Sequence, residues 1–289
     1  MRYANIRTQG HDRLAVATSN GLASLPSSVG GVRITGIEDL LALQNVHPDR
    51  FHDLLDEMLA SAAPVSSNDV TFRSVVEHPS KILCIGLNYR RHAEETHSSI
   101  PICPVVFGVF NNVLAGHGDG VPIPKRSSQV DYEVELAVVV GKRCRNVSAE
   151  EALGCVFGYT VANDISARDL QNVTSQWLAG KSLDRFCPTG PFLATADEVG
   201  NPNALKIQLR LNGELRQNSN TSDMIFSCEQ LLEYLSSLWT LEPGDIVLTG
   251  TPEGVILGRP EAERVWIQPG DYTDAFVEKI GTLTNSYLA

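Results

Sequence analysis

Three carboxylates alternate along one short stretch, Asp131-Tyr-Glu-Val-Glu-Leu136. In a strand alternate side chains share a face, so the spacing predicts Asp131, Glu133 and Glu135 on one side and Tyr132, Val134 and Leu136 on the other. Val138–Val140 are apolar on both faces, which suits a strand entering a core and turning at Gly141. Carboxylates crowded at the mouth of such a strand resist ionisation unless something neutralises them. A hard divalent cation would do so, because Mg²⁺ prefers oxygen ligands in octahedral geometry. An exposed strand with a solvated acidic face would show the same alternation, so this stretch alone leaves both readings open.

Other groups could complete such a site. Gly158-Tyr-Thr-Val-Ala-Asn163-Asp164 reads as a buried strand ending in a polar pair, and Asp164 is placed to finish a metal site begun by a second strand. His92 and Glu95 are three apart, neighbours on one helical turn. A carboxylate beside an imidazole orients it and raises its basicity, the usual device for a general base. A surface histidine on a helical turn would have the same spacing. Arg168 and Gln171 share a turn likewise, and Trp177-Leu-Ala-Gly-Lys181 presents a lysine in a small, apolar setting.

The elements that must position these groups follow from periodicity and punctuation. Residues 3–24 alternate weakly around a hairpin signal at Asn20-Gly21. Helices are expected over 36–44 and 49–62, the second with Phe51, Leu54, Leu55, Met58 and Leu59 on one face. A small-polar connector at 63–70 puts a domain boundary near residue 75, dividing the chain into 1–75 and 76–289. Lys81–Gly86 reads as a buried strand. Residues 99–124, rich in Pro and Gly, read as an irregular segment over the site. Capping boxes open helices at Ser148 and Ser227, and Asn212-Gly213 marks a type I′ hairpin. Ile246–Thr249 reads as another buried strand. Gly250-Thr-Pro-Glu-Gly254 is a tight loop without the Gly-Lys-Ser/Thr ending of a phosphate-binding loop. Strands dominate after residue 80, so the fold class is strand-rich α+β.

Composition narrows the function. The 289 residues are 43% hydrophobic and 20% charged, ordinary for a globular protein, and the net charge of −11 argues against nucleic acid or anionic membrane as a partner. No apolar run is long enough to cross a membrane as a helix, and the first residues lack an apolar signal core, so a cytoplasmic location is expected. Six scattered cysteines without Cys-x-x-Cys read as reduced thiols with no catalytic role.

Together these segments resemble the fumarylacetoacetate hydrolase family. The resemblance is carried in order by Gly86–Glu95, Asp131–Leu136, Tyr159–Gln171, Gly180–Asp184 and Gly250–Gly254, and it covers roughly residues 80–286. It implies a mixed β-sandwich roll behind a small N-terminal domain, and a homodimer. It implies Glu133, Glu135 and Asp164 as ligands of Mg²⁺ or Mn²⁺, and His92 with Glu95 as a catalytic dyad on a segment that orders over substrate. Lys181 matches the site lysine, and Arg168, Gln171 and Thr251 match positions around the ligand. Asp131 and Glu94 are kept as groups that could support the ligands and the dyad.

Three carboxylates leave about half an octahedral shell for substrate oxygens. The implied substrate is a small anionic 2-oxo acid, with Lys181 and Arg168 as its countercharges. The expected activity is hydrolysis of a carbon–carbon bond in a 2,4-dioxo acid through a metal-stabilised enolate, with His92 activating water. Decarboxylation of oxaloacetate, isomerisation or tautomerisation, and a non-catalytic metal-binding module are the alternatives. Two departures bear on the substrate. Leu87 stands where many relatives acting on small dicarboxylates have a cation, and Phe107-Gly-Val-Phe110 lacks a lysine that many carry.

Overall fold

The computed structural model describes residues 1–289, the side chain of Ser67 excepted. Its strands, in chain order, include β1 (Arg2–Thr8), β2 (His11–Thr18), β3 (Gly21–Ser24), β4 (Ala63–Val65), β5 (Ile82–Gly86), β6 (Val105–Val109), β7 (Gly120–Pro122) and β8 (Val134–Val140). They continue with β9 (Val156–Asn163), β10 (Cys187–Thr195), β11 (Lys206–Leu211), β12 (Glu214–Asn220), β13 (Ile246–Leu248), β14 (Tyr272–Val277) and β15 (Gly281–Leu288). The helices that matter are α1 (Ile37–Val46), α2 (Phe51–Ala60), α3 (Arg90–Glu95) and α4 (Cys228–Leu238).

The larger sheet runs β4-β3-β2-β1-β10-β9-β8-β13-β5-β6, mostly antiparallel, with β13 and β5 parallel. A five-stranded sheet, β7-β15-β14-β11-β12, packs on β8, β9 and β10. This is the strand-rich α+β architecture expected, built as two sheets with few and mostly short helices.

β8 explains why its sequence reads as an apolar run. Val134, Leu136, Val138 and Val140 belong to the core between the two sheets, while Ala137 and Val139 belong to a second core that also takes in α1 and α2. A strand covered on both faces needs apolar residues at every position. Glu135 shares the face of Ala137 and Val139, so its carboxylate is carried into the interior by the strand itself.

The first 75 residues share both sheet and core with the rest. β1 pairs with β10, and Tyr3, Leu14 and Leu40 pack in one cluster with Ile82, Val139 and Leu248. The segment 99–124 is not wholly irregular, as its Pro and Gly content suggested. Val105–Val109 forms β6, the sheet edge beside β5, because a β-branched run outweighs its flanking prolines. The turn at Asn212-Gly213 has φ of 53° and 81°, the left-handed pair that a type I′ hairpin requires. Both expected capping boxes are present, at Ser148 with Glu151 and at Ser227 with Gln230.

Candidate active site

The ends of β8, β9 and β5 meet at one cavity of about 210 Å³. Glu133 lies just before β8 and Glu135 within it, and Asp164 follows the last residue of β9. All three side chains are buried, and each offers an oxygen within 4.8 Å of the others. Asp131 does not join them. The strand breaks between Asp131 and Val134, so the expected alternation over 131–135 fails at its start. Asp131 instead accepts from Arg168 Nε at 2.9 Å and from the N–H groups of Tyr132, Ile256 and Leu257. It is a buried anchor for Arg168 and for the loop after residue 254.

Two buried cations hold the acidic cluster. Lys181 Nζ lies 2.8 Å from Glu133 Oε2 and 2.7 Å from Asp164 Oδ2, and Arg168 Nη2 lies 2.6 Å from Glu133 Oε1. Burial acts upward on Glu133, but Lys181 and Arg168 outweigh it and hold the carboxyl at about 2. Burial raises Asp164 to about 6, with Lys181 opposing and Glu133 adding to the rise. Burial first, then Asp164 and Glu133, push Glu135 well above the usual carboxylate range, although it accepts from the Gly250 N–H at 2.7 Å. Burial works against the Lys181 ammonium, yet Asp164 and Glu133 carry its pKa above the ordinary lysine value, so it stays charged.

The donor set fits a divalent cation. Asp164 Oδ1 is buried with no hydrogen-bond partner. With Asp131, Glu133, Glu135 and Asp164 all ionised, as ligation would require of the last three, only Arg168 and Lys181 oppose them, which would leave two negative charges for a bound ion to match.

His92 and Glu95 come from α3, whose ring and carboxylate meet as their spacing suggested. His92 Nδ1 and Glu95 Oε1 are 2.9 Å apart, and Glu95 Oε2 accepts from the Gly254 N–H at 2.9 Å. A Cβ on Gly258 would come within 2.6 Å of the Glu95 carboxyl, so glycine there leaves the carboxylate its place. His92 lines the cavity together with Glu133, Asp164 and Lys181. Glu94 is exposed on the other side of the helix.

Lys181, Arg168, Gln171 and Thr251 also line the cavity, but their polar groups are largely committed. Gln171 Oε1 accepts from Arg168 Nη1, and Thr251 Oγ1 donates to the Val134 carbonyl and accepts from Gln217 Nε2. The two cysteines beside the acidic cluster, Cys84 and Cys187, are fully buried, and burial first and the carboxylates second push their thiols far up. That leaves them inert.

Sequence reading missed four contributors. Asn88 ties the turn before α3 to Thr249 and Phe226, and Gln217 braces Thr251 and the Pro252 carbonyl. Phe107 and Trp177 form one wall of the cavity. An amide in a turn or strand carries no periodic signal, and a lone aromatic does not announce which wall it joins.

Comparison with known proteins identifies the family. The model of the fumarylacetoacetate (FAA) hydrolase C-terminal region matches residues 81–287. The mitochondrial oxaloacetate tautomerase FAHD2B of Bos taurus is 41% identical over 277 residues, covering 91% of this chain and 86% of that protein. Fumarylacetoacetate hydrolase from Exiguobacterium antarcticum superposes with a TM-score of 0.86 at 32% identity, covering 100% of this chain and 99% of the other. Maleylpyruvate hydrolase from Sphingobium sp. SYK-6, solved with manganese(II) and pyruvate, superposes with a TM-score of 0.79 at 27% identity, covering 100% and 99%. With its motifs in order, its sheets in the same arrangement and its relatives matched along most of their length, the chain belongs to the fumarylacetoacetate hydrolase family and is an enzyme of that family.

Proposed function

We propose that this enzyme is a tautomerase that interconverts the enol and keto forms of a small 2-oxo acid with the help of a divalent cation, Mg²⁺ or Mn²⁺. The observation that carries the reading is the dyad set at the rim of a buried three-carboxylate cluster. The likeness to an oxaloacetate tautomerase over 91% of the chain favours tautomerisation over the cleavage that the motifs first suggest.

Glu133, Glu135 and Asp164 would hold the cation, which when bound polarises the 2-oxo carbonyl and steadies negative charge on its oxygen. Glu95 accepts from Nδ1 of His92 and so leaves Nε2 as the free base. In ketonisation the enol hydroxyl loses a proton and C3 gains one, and His92 Nε2 would carry the proton between them. Glu95 steadies the imidazolium between the two transfers. Arg168 and Lys181 keep Glu133 ionised and oriented.

Hydrolysis of a 2,4-dioxo acid remains the second reading, favoured by the same dyad, which could activate water, and by the likeness to maleylpyruvate hydrolase. Stopped-flow loss of enol absorbance, with product analysis on an acylpyruvate, separates the two. Tautomerisation predicts fast enol loss and no carbon–carbon cleavage. His92→Ala should slow it by about 10²–10⁴-fold while Mn²⁺ binding persists. Cleavage of the acylpyruvate outrunning enol loss would replace the first reading with the second. The homodimer is proposed as well, and light scattering behind size exclusion tests it against the monomer mass of 31.4 kDa.

A further inference from the structure

This inference rests on the tautomerase reading and concerns which 2-oxo acid the cavity takes. The cations that line the cavity are already spent. Arg168 is bound to Asp131 and Glu133, and Lys181 to Glu133 and Asp164. No other lysine or arginine lies among the described residues of its wall. What remains is uncharged: Thr96, Ser98 and Asn172 supply its polar part, and Leu87, Phe107, Trp177 and Leu257, all half-buried, supply an apolar wall.

That surface is built with some care in the backbone. The Phe107 and Trp177 rings meet edge to face, with centroids 5.3 Å apart and planes at 74°. Trp177 rests on Gly86, where an added Cβ would come within 2.3 Å of the indole. Gly86 therefore makes room for the ring at the end of β5, beside the acidic cluster. Large apolar side chains left half-exposed in a concave site gain from an apolar occupant. A carboxylate set against them would be desolvated without a free cation beside it.

We propose that the substrate carries an uncharged apolar group, alkyl or aryl, beyond its 2-oxo acid end, seated against Phe107 and Trp177. These two residues and Leu87 then set the specificity against dicarboxylates.

The test compares the enols of phenylpyruvate and oxaloacetate at saturating Mn²⁺, as a ratio of kcat/KM. The wild type should prefer phenylpyruvate by about tenfold or more. Trp177→Ala should reduce that ratio about tenfold. Leu87→Arg, which places a cation on the apolar wall, should move it towards oxaloacetate. Leu87 has φ of 54°, a left-handed conformation that asparagine accepts, so Leu87→Asn is the uncharged control. It should lower the ratio less than the arginine does, and thermal unfolding should confirm that every variant is folded. A second arm is independent of turnover: calorimetric binding of phenylglyoxylate and ketomalonate, neither of which can enolise, to the Mn²⁺ form. If both enols go unturned but phenylglyoxylate binds tighter, the tautomerase reading fails and the specificity stands. A wild type that prefers oxaloacetate, or binds ketomalonate tighter, overturns the proposal, as does a Trp177→Ala ratio equal to that of the wild type.

Discussion

Glu133, Glu135 and Asp164 are three acids of similar chemistry held in three different states by what touches them. Glu133 meets two cations, Asp164 one, and Glu135 a single backbone N–H. Replacing any one of the three by alanine should weaken Mn²⁺ binding severely, read by calorimetric titration, while the fold persists. Unchanged affinity in all three variants would remove the metal site. The signs of their pH dependence oppose each other. Asp164 rises from 3.8 to about 6, so its contribution to stability is full below 3.8 and is lost as pH climbs through about 6. Glu133 falls from 4.5 to about 2, so its contribution is present above 4.5 and is lost as pH drops towards 2. In chelator, Asp164→Asn should therefore flatten the decline in Tm of the wild type between about pH 4 and pH 6. Mn²⁺ should reverse the wild-type trend, because the ion favours ionised Asp164. A variant whose Tm tracks the wild type across that range would show that Asp164 does not titrate there.

At the scale of elements, the site depends on short pieces pinned by side chains rather than on long helices. α3 has only six residues and no side-chain N-cap, so it cannot hold His92 in place by its own stability. Asn88, two residues ahead of it, supplies the anchor. Its Nδ2 donates to the Thr249 carbonyl at 2.7 Å and to the Phe226 carbonyl at 3.0 Å, and its Oδ1 accepts from the Phe226 N–H at 2.9 Å. Asn88→Ala strands buried backbone groups and should cost about 2 kcal/mol or more, measured by urea unfolding. Turnover should fall beyond what the lost stability explains, since the dyad loses its fixed approach to the cluster. An unchanged midpoint with unchanged turnover would show that α3 is held by something else.

Across the whole molecule, the N-terminal 75 residues and the remainder act as one body of sheet. The β1–β10 pairing and the shared core mean that removing residues 1–75 would expose the edge of β10 and uncover Ile82, Val139 and Leu248. A chain starting at residue 76 should be insoluble or should lack slow amide exchange in β8 and β9. Soluble, protected and Mn²⁺-binding material would instead show that the catalytic part folds alone. No helix of the structure is long and apolar enough to cross a membrane. The family model, which begins at residue 81, says nothing of the N-terminal strands, so their role is a matter of packing seen only in the fold.

Local chemistry was legible from the chain itself. The capping boxes at Ser148 and Ser227, the Asn212-Gly213 turn and the His92–Glu95 pair each depend on residues within four positions, and spacing alone determines whether they meet. The carboxylates were legible as candidates, because ordered motifs along the chain resemble a family. Which of them gather was not. Asp131 has the same spacing from Glu133 as Glu135 has, yet a break in the strand turns it to Arg168 and to the N–H groups of Ile256 and Leu257. The same holds for the cations: Arg168 and Lys181 looked free to meet a substrate, and the fold has bound both to carboxylates far away in sequence. Charge pairing across strands depends on distances that only the packed sheets define, so tertiary structure decided which charges the site keeps and which it has already spent.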